Sequence, residues 1–321
     1  MYCCRTQVLQ ADIIWNQCAN LPTDLAEGQS VVVNDKVYCG GSAASENEYL
    51  VYHYDPSQDK WTTLSPLSVR YFGLGEVNGE LMAIGGVKKG ADRPTNEVLT
   101  YDPRLQRWKQ AFTPMPTSRA FPSILSLQLV LVVAGGLIEL YDDDYTTAVE
   151  IFQKDTSQWH KTDPLPTVSH YMSTVAIGNT CYALGEYRLP DNNQILYASV
   201  DDLFRNAVPG TQTVNTDGSD TQSAWKILPN TPTYQPAAAV LASNLLAVGG
   251  WKSSKAGARK QEVYMYSSSM NSWVYISDLP APRASTAVAA LSRSEILVIG
   301  GSGGDDNSVC TVYKGTLNIK V

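Results

Sequence analysis

The chain has 321 residues, a formal net charge of −7 and a sequence pI of about 5.0, a balance that argues against a nucleic-acid-binding surface. It holds no apolar run of the ~18–20 residues that a membrane span requires. Its start, Met1-Tyr2-Cys3-Cys4-Arg5, lacks the basic segment and long apolar core of a secretory signal. Neither nucleic acid nor membrane is therefore expected among its partners.

The first predicted strand, Ile13–Trp15, stands alone ahead of a Leu21-Pro22 connector. A complete unit follows. It runs from Ala26 through a hairpin turn at Asn34-Asp35 to Gly40-Gly41, then through Leu50-Val51-Tyr52-His53-Tyr54 and the turn Asp55-Pro56-Ser57 to Trp61. The second unit keeps this order: Tyr71–Val77, Asn78-Gly79, Glu80–Ile84, Gly85-Gly86, Val98–Tyr101, Asp102-Pro103-Arg104 and Trp108. The third carries Gly135-Gly136 and Trp159. The fourth has the turn Gly178-Asn179, a degraded pair Gly185-Glu186 and Trp225; the fifth has Gly249-Gly250, Val263–Tyr266 and Trp273. The sixth, Ser285–Tyr313, contains Gly300-Gly301 and no Trp.

The hairpin residues tolerate the positive φ that two-residue turns need. Four short strands with turn signals between them describe one small antiparallel sheet per unit. The Trp-to-Trp steps are 46, 47, 51, 66 and 48 residues, so the repeat itself sets the fold. Units are joined by Leu21-Pro22, Pro114-Met115-Pro116, Pro164-Leu165-Pro166 and Leu279-Pro280-Ala281-Pro282. These prolines suit linkers between sheets, since they cannot donate to a ladder.

Glycine pair, Tyr strand, Trp strand and Pro connector, in that order over nearly the whole chain, resemble the kelch repeat. The resemblance implies an all-β, six-bladed kelch-type β-propeller with four-stranded antiparallel blades, residues 1–321 forming a single domain. The glycines and the Trp residues are read as scaffold, the former for backbone turns and the latter for buried area. The lone strand at Trp15 and the missing final Trp fit a ring closed by the N- and C-terminal strands in one blade, which removes an open edge. Thr316–Val321 is a second candidate for that outer strand. Residues 1–12 are expected to be a flexible or edge segment. Residues 201–223 are expected to be a loop insertion in the fourth repeat, between its third and fourth strands.

Cys39, Cys181 and Cys310 fall within predicted strands of three different blades, and no Asn-x-Ser/Thr acceptor occurs anywhere. Free thiols and a cytoplasmic location are the expectation.

In kelch propellers of ligase adaptors, ligand contacts lie just after the glycine pair and at the entrance of the inner strand. Carried over residue by residue, the resemblance gives a binding set of Ser42, Arg70, Tyr71, Arg119, Phe121, His170, Tyr171, Tyr187, Tyr234, Trp251, Arg283 and Ser302. Aromatic residues and arginine are the usual binding anchors, although the same rings equally suit plain packing that seals the channel. The reading is a non-catalytic protein–protein interaction module, of the kind that serves as the substrate-recognition domain of a larger adaptor. Its ligand is a protein or peptide segment on the channel-entrance face, with an acidic residue reaching an arginine. Any oligomerisation is expected to run through domains outside this chain.

The alternatives are a carbohydrate-binding propeller, whose sugar would stack on the same rim, and a sugar-modifying enzyme of the kelch epimerase type. For the latter, Glu27, Arg70, His170 and Glu186 are the plausible acid/base groups. A copper centre needs converging histidines, and His53, His160 and His170 fall at different depths of different blades. No catalytic residue, metal or cofactor is expected. The run Tyr141–Tyr145 lacks EF-hand spacing and reads as a solvated acidic loop.

Overall fold

A computed structural model describes residues 10–43, 49–140, 144–187, 195–207, 223–253, 257–304 and 307–320. Its strands form six four-stranded antiparallel sheets arranged as the blades of a propeller. From the axis outward, blade one is Leu25–Val33, Lys36–Ala43, Val51–Asp55 and Lys60–Thr63. Blade two is Gly73–Val77, Glu80–Ile84, Val98–Asp102 and Arg107–Gln110. Blade three is Ser123–Ser126, Val130–Ala134, Val149–Gln153 and Gln158–Thr162. Blade four is Ser169–Ile177, Thr180–Tyr187, Ile195–Ser199 and Lys226–Leu228. Blade five is Ala237–Leu241, Asn244–Val248, Glu262–Ser267 and Ser272–Asp278.

Blade six joins the two ends of the chain. Its inner strands are Ala287–Ala290, Glu295–Ile299 and Val312–Lys320, and its outer strand is the N-terminal Gln10–Gln17. The ladder of the last two runs from Gln10↔Lys320 to Gln17↔Tyr313. Thr316–Lys320 therefore belongs to the third strand, and Trp15 occupies the outer one. The expected edge segment 1–12 is a paired strand from Gln10 onward; residues 1–9 lie outside the described residues.

Apolar side chains are buried between blades rather than within them. One buried cluster joins each adjacent pair of blades, six in all among the described residues. Blade six illustrates the rule: Ile296 and Val298 face blade five, while Leu297 and Ile299 face blade one. Second strands are thus covered on both faces and read as continuous apolar runs, such as Val130–Ala134.

Each outer Trp ties its blade to the connector that enters it. The indole N–H groups of Trp61, Trp108, Trp159, Trp225 and Trp273 donate to the carbonyls of Ala19, Ser65, Thr113, Asp163 and Pro229 at 2.9–3.2 Å. Trp15 instead donates to Ser277 Oγ of blade five at 3.1 Å, and that hydroxyl donates to the Ile13 carbonyl at 3.2 Å.

The glycine pair joins one blade to the next. Gly86 N–H donates to the Arg119 carbonyl at 2.8 Å, and Gly301 does the same to Leu25 at 2.7 Å across the ring closure. At Gly85 and Gly86 the φ values are 65° and 94°. A Cβ there would stand 2.5 and 2.4 Å from the carbonyl oxygens of Arg119 and Arg70, so no other residue fits. Blades one and four depart from this pattern. Their second strands stay extended through Gly40-Gly41 and Gly185-Glu186, pairing on with Leu25–Ala26 and Ser169–His170.

The fourth-repeat insertion opens with a helix, Val200–Ala207, rather than a loop. Its Asp201 and Asp202 suit the positive end of the helix dipole, and Leu203 is fully buried against blade three. Thr162 Oγ1 donates to the Leu203 carbonyl. Residues 208–222 lie outside the described residues. Cys18, Cys39, Cys181 and Cys310 are free thiols, and burial pushes the Cys181 thiol pKa up to about 12. Cys310 sits just ahead of its expected strand and is half-buried.

Candidate ligand-binding face at the channel entrance

At one end of the propeller, each connector turns into an inner strand. Glu27, Tyr71, Phe121, Gln235 and Ser285 occupy this same turn in five blades, all with left-handed φ between 47° and 57°. The repetition makes the conformation a feature of the fold rather than local strain, and it sets the five side chains around the channel mouth. Four of them, Glu27, Phe121, Gln235 and Ser285, line an axial cavity of about 120 Å³.

Tyr71 does not line that cavity but stacks on Phe121, with ring centroids 4.3 Å apart. Phe121 N–H donates to the Tyr71 carbonyl at 2.7 Å. The Arg70 guanidinium lies 4.9 Å from the Tyr71 ring centroid and makes no hydrogen bond or ion pair with a described residue. Beneath the rings are Val87, Ala120 and Leu137, all buried, with Leu140 and Tyr145 at the edge of the same cluster. Blades two and three thus present a half-buried series of guanidinium, phenol and phenyl that runs into the cavity.

Blades five and six present a second cluster. Trp251 and Tyr234 exchange backbone hydrogen bonds at 2.7 and 2.9 Å. Arg259 lies 4.3 Å from the Trp251 ring centroid, and its Nε and Nη2 donate to Ser302 Oγ at 3.1 and 2.8 Å. Two residues expected at the face from sequence, Trp251 and Ser302, are thereby connected through Arg259. Sequence reading missed Arg259 because it stands eight positions past Trp251 in a loop without a repeat signature.

Two expected contact residues are corrected. Arg119 has no exposed surface: its Nη1 donates to the carbonyls of Gly135 and Ala148 at 2.8 and 2.9 Å, and its Nη2 to Glu150 at 2.7 Å. Burial pulls its pKa down, and the Glu150 carboxylate opposes that pull. Arg283 is 4% exposed, bonds the Pro282 carbonyl, Thr311 and the Tyr313 hydroxyl, and lies 5.3 Å from the Tyr313 ring centroid. Both brace a blade entrance from within and present nothing to a ligand. Ser42, His170, Tyr171 and Tyr187 have backbone at this same end, but their side chains lie outside the described residues, as does Arg188. His53 stands away from the mouth, stacked on Tyr38 at 5.1 Å, with Nε2 buried and unpartnered.

Fold and face together define a six-bladed propeller with a ringed axial mouth, built from a double-glycine and Trp repeat. The family model for the kelch motif matches residues 28–68 and 232–280, and the chain is a kelch-repeat propeller. It is 26% identical over 173 residues to Kelch-like protein 40 of Xenopus tropicalis, which covers 52% of this chain and 27% of that one. Kelch-like protein 11 of Homo sapiens is 23% identical over 274 residues, covering 80% of this chain and 36% of that protein. Kelch repeat and BTB domain-containing protein 12 of Homo sapiens is 24% identical over 193 residues, or 53% and 31% of the two chains. The chain thus spans between 27% and 36% of the length of these relatives. Among solved structures, that titled "Structure of YjhT" superposes with a TM-score of 0.74 at 16% identity, covering 95% of this chain and 99% of its own. It speaks to the fold alone. No helix among the described residues is long and apolar enough to cross a membrane.

Proposed function

We propose that this propeller, residues 1–321 acting as one unit, is a non-catalytic recognition module whose channel-entrance face binds a segment of a partner protein. The observation that carries the reading is the Arg70–Tyr71–Phe121 series, half-buried at the rim and continuous with the axial cavity. Rigid aromatic rings contribute contact area at low entropic cost. A guanidinium stacked on a ring at such a site gains about 0.5–1 kcal/mol and keeps its in-plane donors for a carboxylate. An acidic side chain of the partner is the group that fits Arg70. The likeness to Kelch-like relatives roughly twice as long supports a place as the substrate-recognition part of a larger adaptor.

The test is site-specific photo-cross-linking in cells. A benzophenone side chain placed at Arg70 should yield a discrete adduct. The same group at Leu129, which is 72% exposed in a hairpin at the opposite end, should not. Equal adducts at both positions, or an adduct only at Leu129, would move the site off this face.

A further inference from the structure

The axial cavity is walled by hydroxyl groups of two kinds. In the first the proton is committed to backbone. Ser30 Oγ donates to the Val288 carbonyl at 2.9 Å, Thr174 Oγ1 to Ile124 at 3.0 Å, and Thr286 Oγ1 to Ile299 at 2.9 Å. Ser123 Oγ is bound in the same way to the Met172 carbonyl. A hydroxyl has one proton and two lone pairs, so these oxygens offer an incoming group acceptance. In the second kind the proton is uncommitted. Ser173 Oγ accepts from Ala238 N–H at 2.8 Å, and its proton has no acceptor among the described residues. The Ser285 hydroxyl, at the mouth of the cavity, makes no hydrogen bond with a described residue and brings donor and acceptor together.

The other polar groups of the wall are engaged. The Gln29 amide is spent in both senses, Nε2 on the Pro122 carbonyl at 2.8 Å and Oε1 on Leu74 N–H at 3.3 Å. Glu27 and Gln235 already have partners. Glu27 is the one ionisable side chain among the described residues that line the cavity, and Arg119 and Arg283 are spent inside blade entrances. A charged group entering here would lose water without gaining an uncommitted counter-charge, which is costly. A neutral polar group whose hydrogen bonds are met escapes that cost.

We propose that this cavity receives the side-chain carboxamide of an asparagine or glutamine on the partner segment. A carboxamide carries two N–H donors and one oxygen with two lone pairs. The donors are matched by the acceptor oxygens of Ser30, Thr174 and Thr286, and the oxygen by the free protons of Ser173 and Ser285. A lone hydroxyl, with one proton, would satisfy fewer of these groups. Ile124, Met172 and Phe121 supply the apolar part of the wall for the methylene stem.

The inference rests on the partner-binding reading in one respect only, that the carboxamide arrives on a polypeptide. Steps of 4.9 and 4.3 Å separate Arg70, Tyr71 and Phe121, and Phe121 lines the cavity. An extended segment rises about 3.3 Å per residue, so an acidic residue on Arg70 stands about three positions from the carboxamide residue in the channel.

The experiment is a methyl-NMR titration of the whole chain, labelled at Met and Ile methyls, with Nα-acetyl-glutamine N-methylamide and its asparagine counterpart. At least one should give saturable shifts at Met172 and Ile124 that do not change as salt is added, since the probe is neutral. The glutamate counterpart, isosteric with glutamine but charged, and the norleucine counterpart, which has no polar head, should give none. Ser285→Gly deletes one donor and suits the left-handed φ of 50° at that position. It should weaken binding about fivefold, the loss of one hydrogen bond of ordinary strength. Thr174→Val, a second variant that deletes one acceptor, should weaken it by about the same factor. Equal shifts with the glutamate or norleucine counterpart, unchanged affinity in both variants, or no saturable shift with either carboxamide would each overturn the carboxamide site. Those results leave the cross-linking outcome at Arg70 untouched, so the two claims fail separately.

Discussion

Replacing Arg119 by alanine separates a scaffold arginine from a ligand contact. The Arg119 and Glu150 side chains are both fully buried, 2.7 Å apart, and Thr117 Oγ1 holds the other Glu150 oxygen at 2.5 Å. Removing the guanidinium leaves a buried carboxylate without its counter-charge, a change that costs about 3–5 kcal/mol. The Gly135 and Ala148 carbonyls lose their Nη1 donor as well, which places the loss toward the upper end of that range. Had Arg119 been an exposed contact, its removal would fall within about 0.5 kcal/mol of the wild type. The assay is urea denaturation followed by tryptophan fluorescence and far-UV circular dichroism together, since several blades need not unfold in two states. Glu150→Gln, which keeps an acceptor for the arginine, should lose less. A loss below about 1 kcal/mol in Arg119→Ala would refute the reasoning, because no buried ion pair is broken so cheaply.

Deleting residues 1–17 should lower the melting temperature and promote aggregation. It strips the outer strand from blade six, removes the Trp15–Ser277 bond and bares the edge of Val312–Lys320; an unchanged melting temperature would refute ring closure by the N-terminal strand. Gly86→Ala should destabilise by at least about 1–3 kcal/mol from its left-handed φ alone, with the Arg70 carbonyl 2.4 Å from the new Cβ adding to it. Equal chemical denaturation midpoints would contradict that. His53 gives a pH signature. Burial, then the nearby Lys36, depresses its pKa against the weaker opposing pull of Asp55. The neutral ring is therefore favoured in the fold: its contribution is complete above the ordinary value of about 6.5 and is lost as pH falls through the depressed folded value. The melting temperature of the wild type should consequently fall more steeply between pH 7.5 and 5 than that of His53→Phe, which keeps the stack on Tyr38. Parallel curves would exclude His53 as the source.

The fold was legible because its information is repeated. A Trp every blade, a glycine pair, a connector proline and hairpin turns such as Asn78-Gly79 all point to the same sheet, and local chemistry agrees with global architecture. Ring closure was readable from Trp15 standing ahead of any blade. Where the repeat loosens, reading from sequence loosens with it. The helix Val200–Ala207 lies in an insertion that no other blade shares. The hairpin of blade five turns through Ala242 and Ser243 at φ 49° and 62°, residues without the usual turn chemistry. At the candidate site, backbone placement was readable but side-chain direction was not. Arg70 and Arg119 both stand among polar neighbours near a blade entrance. One stacks at the rim, and the other turns inward to Glu150, 31 positions away. Likewise the tie between Arg259 and Ser302 spans 43 positions and leaves no local trace.

The most direct test of the partner-binding face is affinity capture with mass spectrometry on three folded forms of the whole chain. These are the wild type, a Tyr71→Ala, Phe121→Ala double variant, and Leu129→Asp at the opposite end. Circular dichroism and melting temperature would first establish that each is folded. Recognition at the channel entrance predicts a protein retained by the wild type and by Leu129→Asp, and lost from the double variant. Full retention by the double variant with loss from Leu129→Asp would contradict it and place recognition at the other end of the propeller.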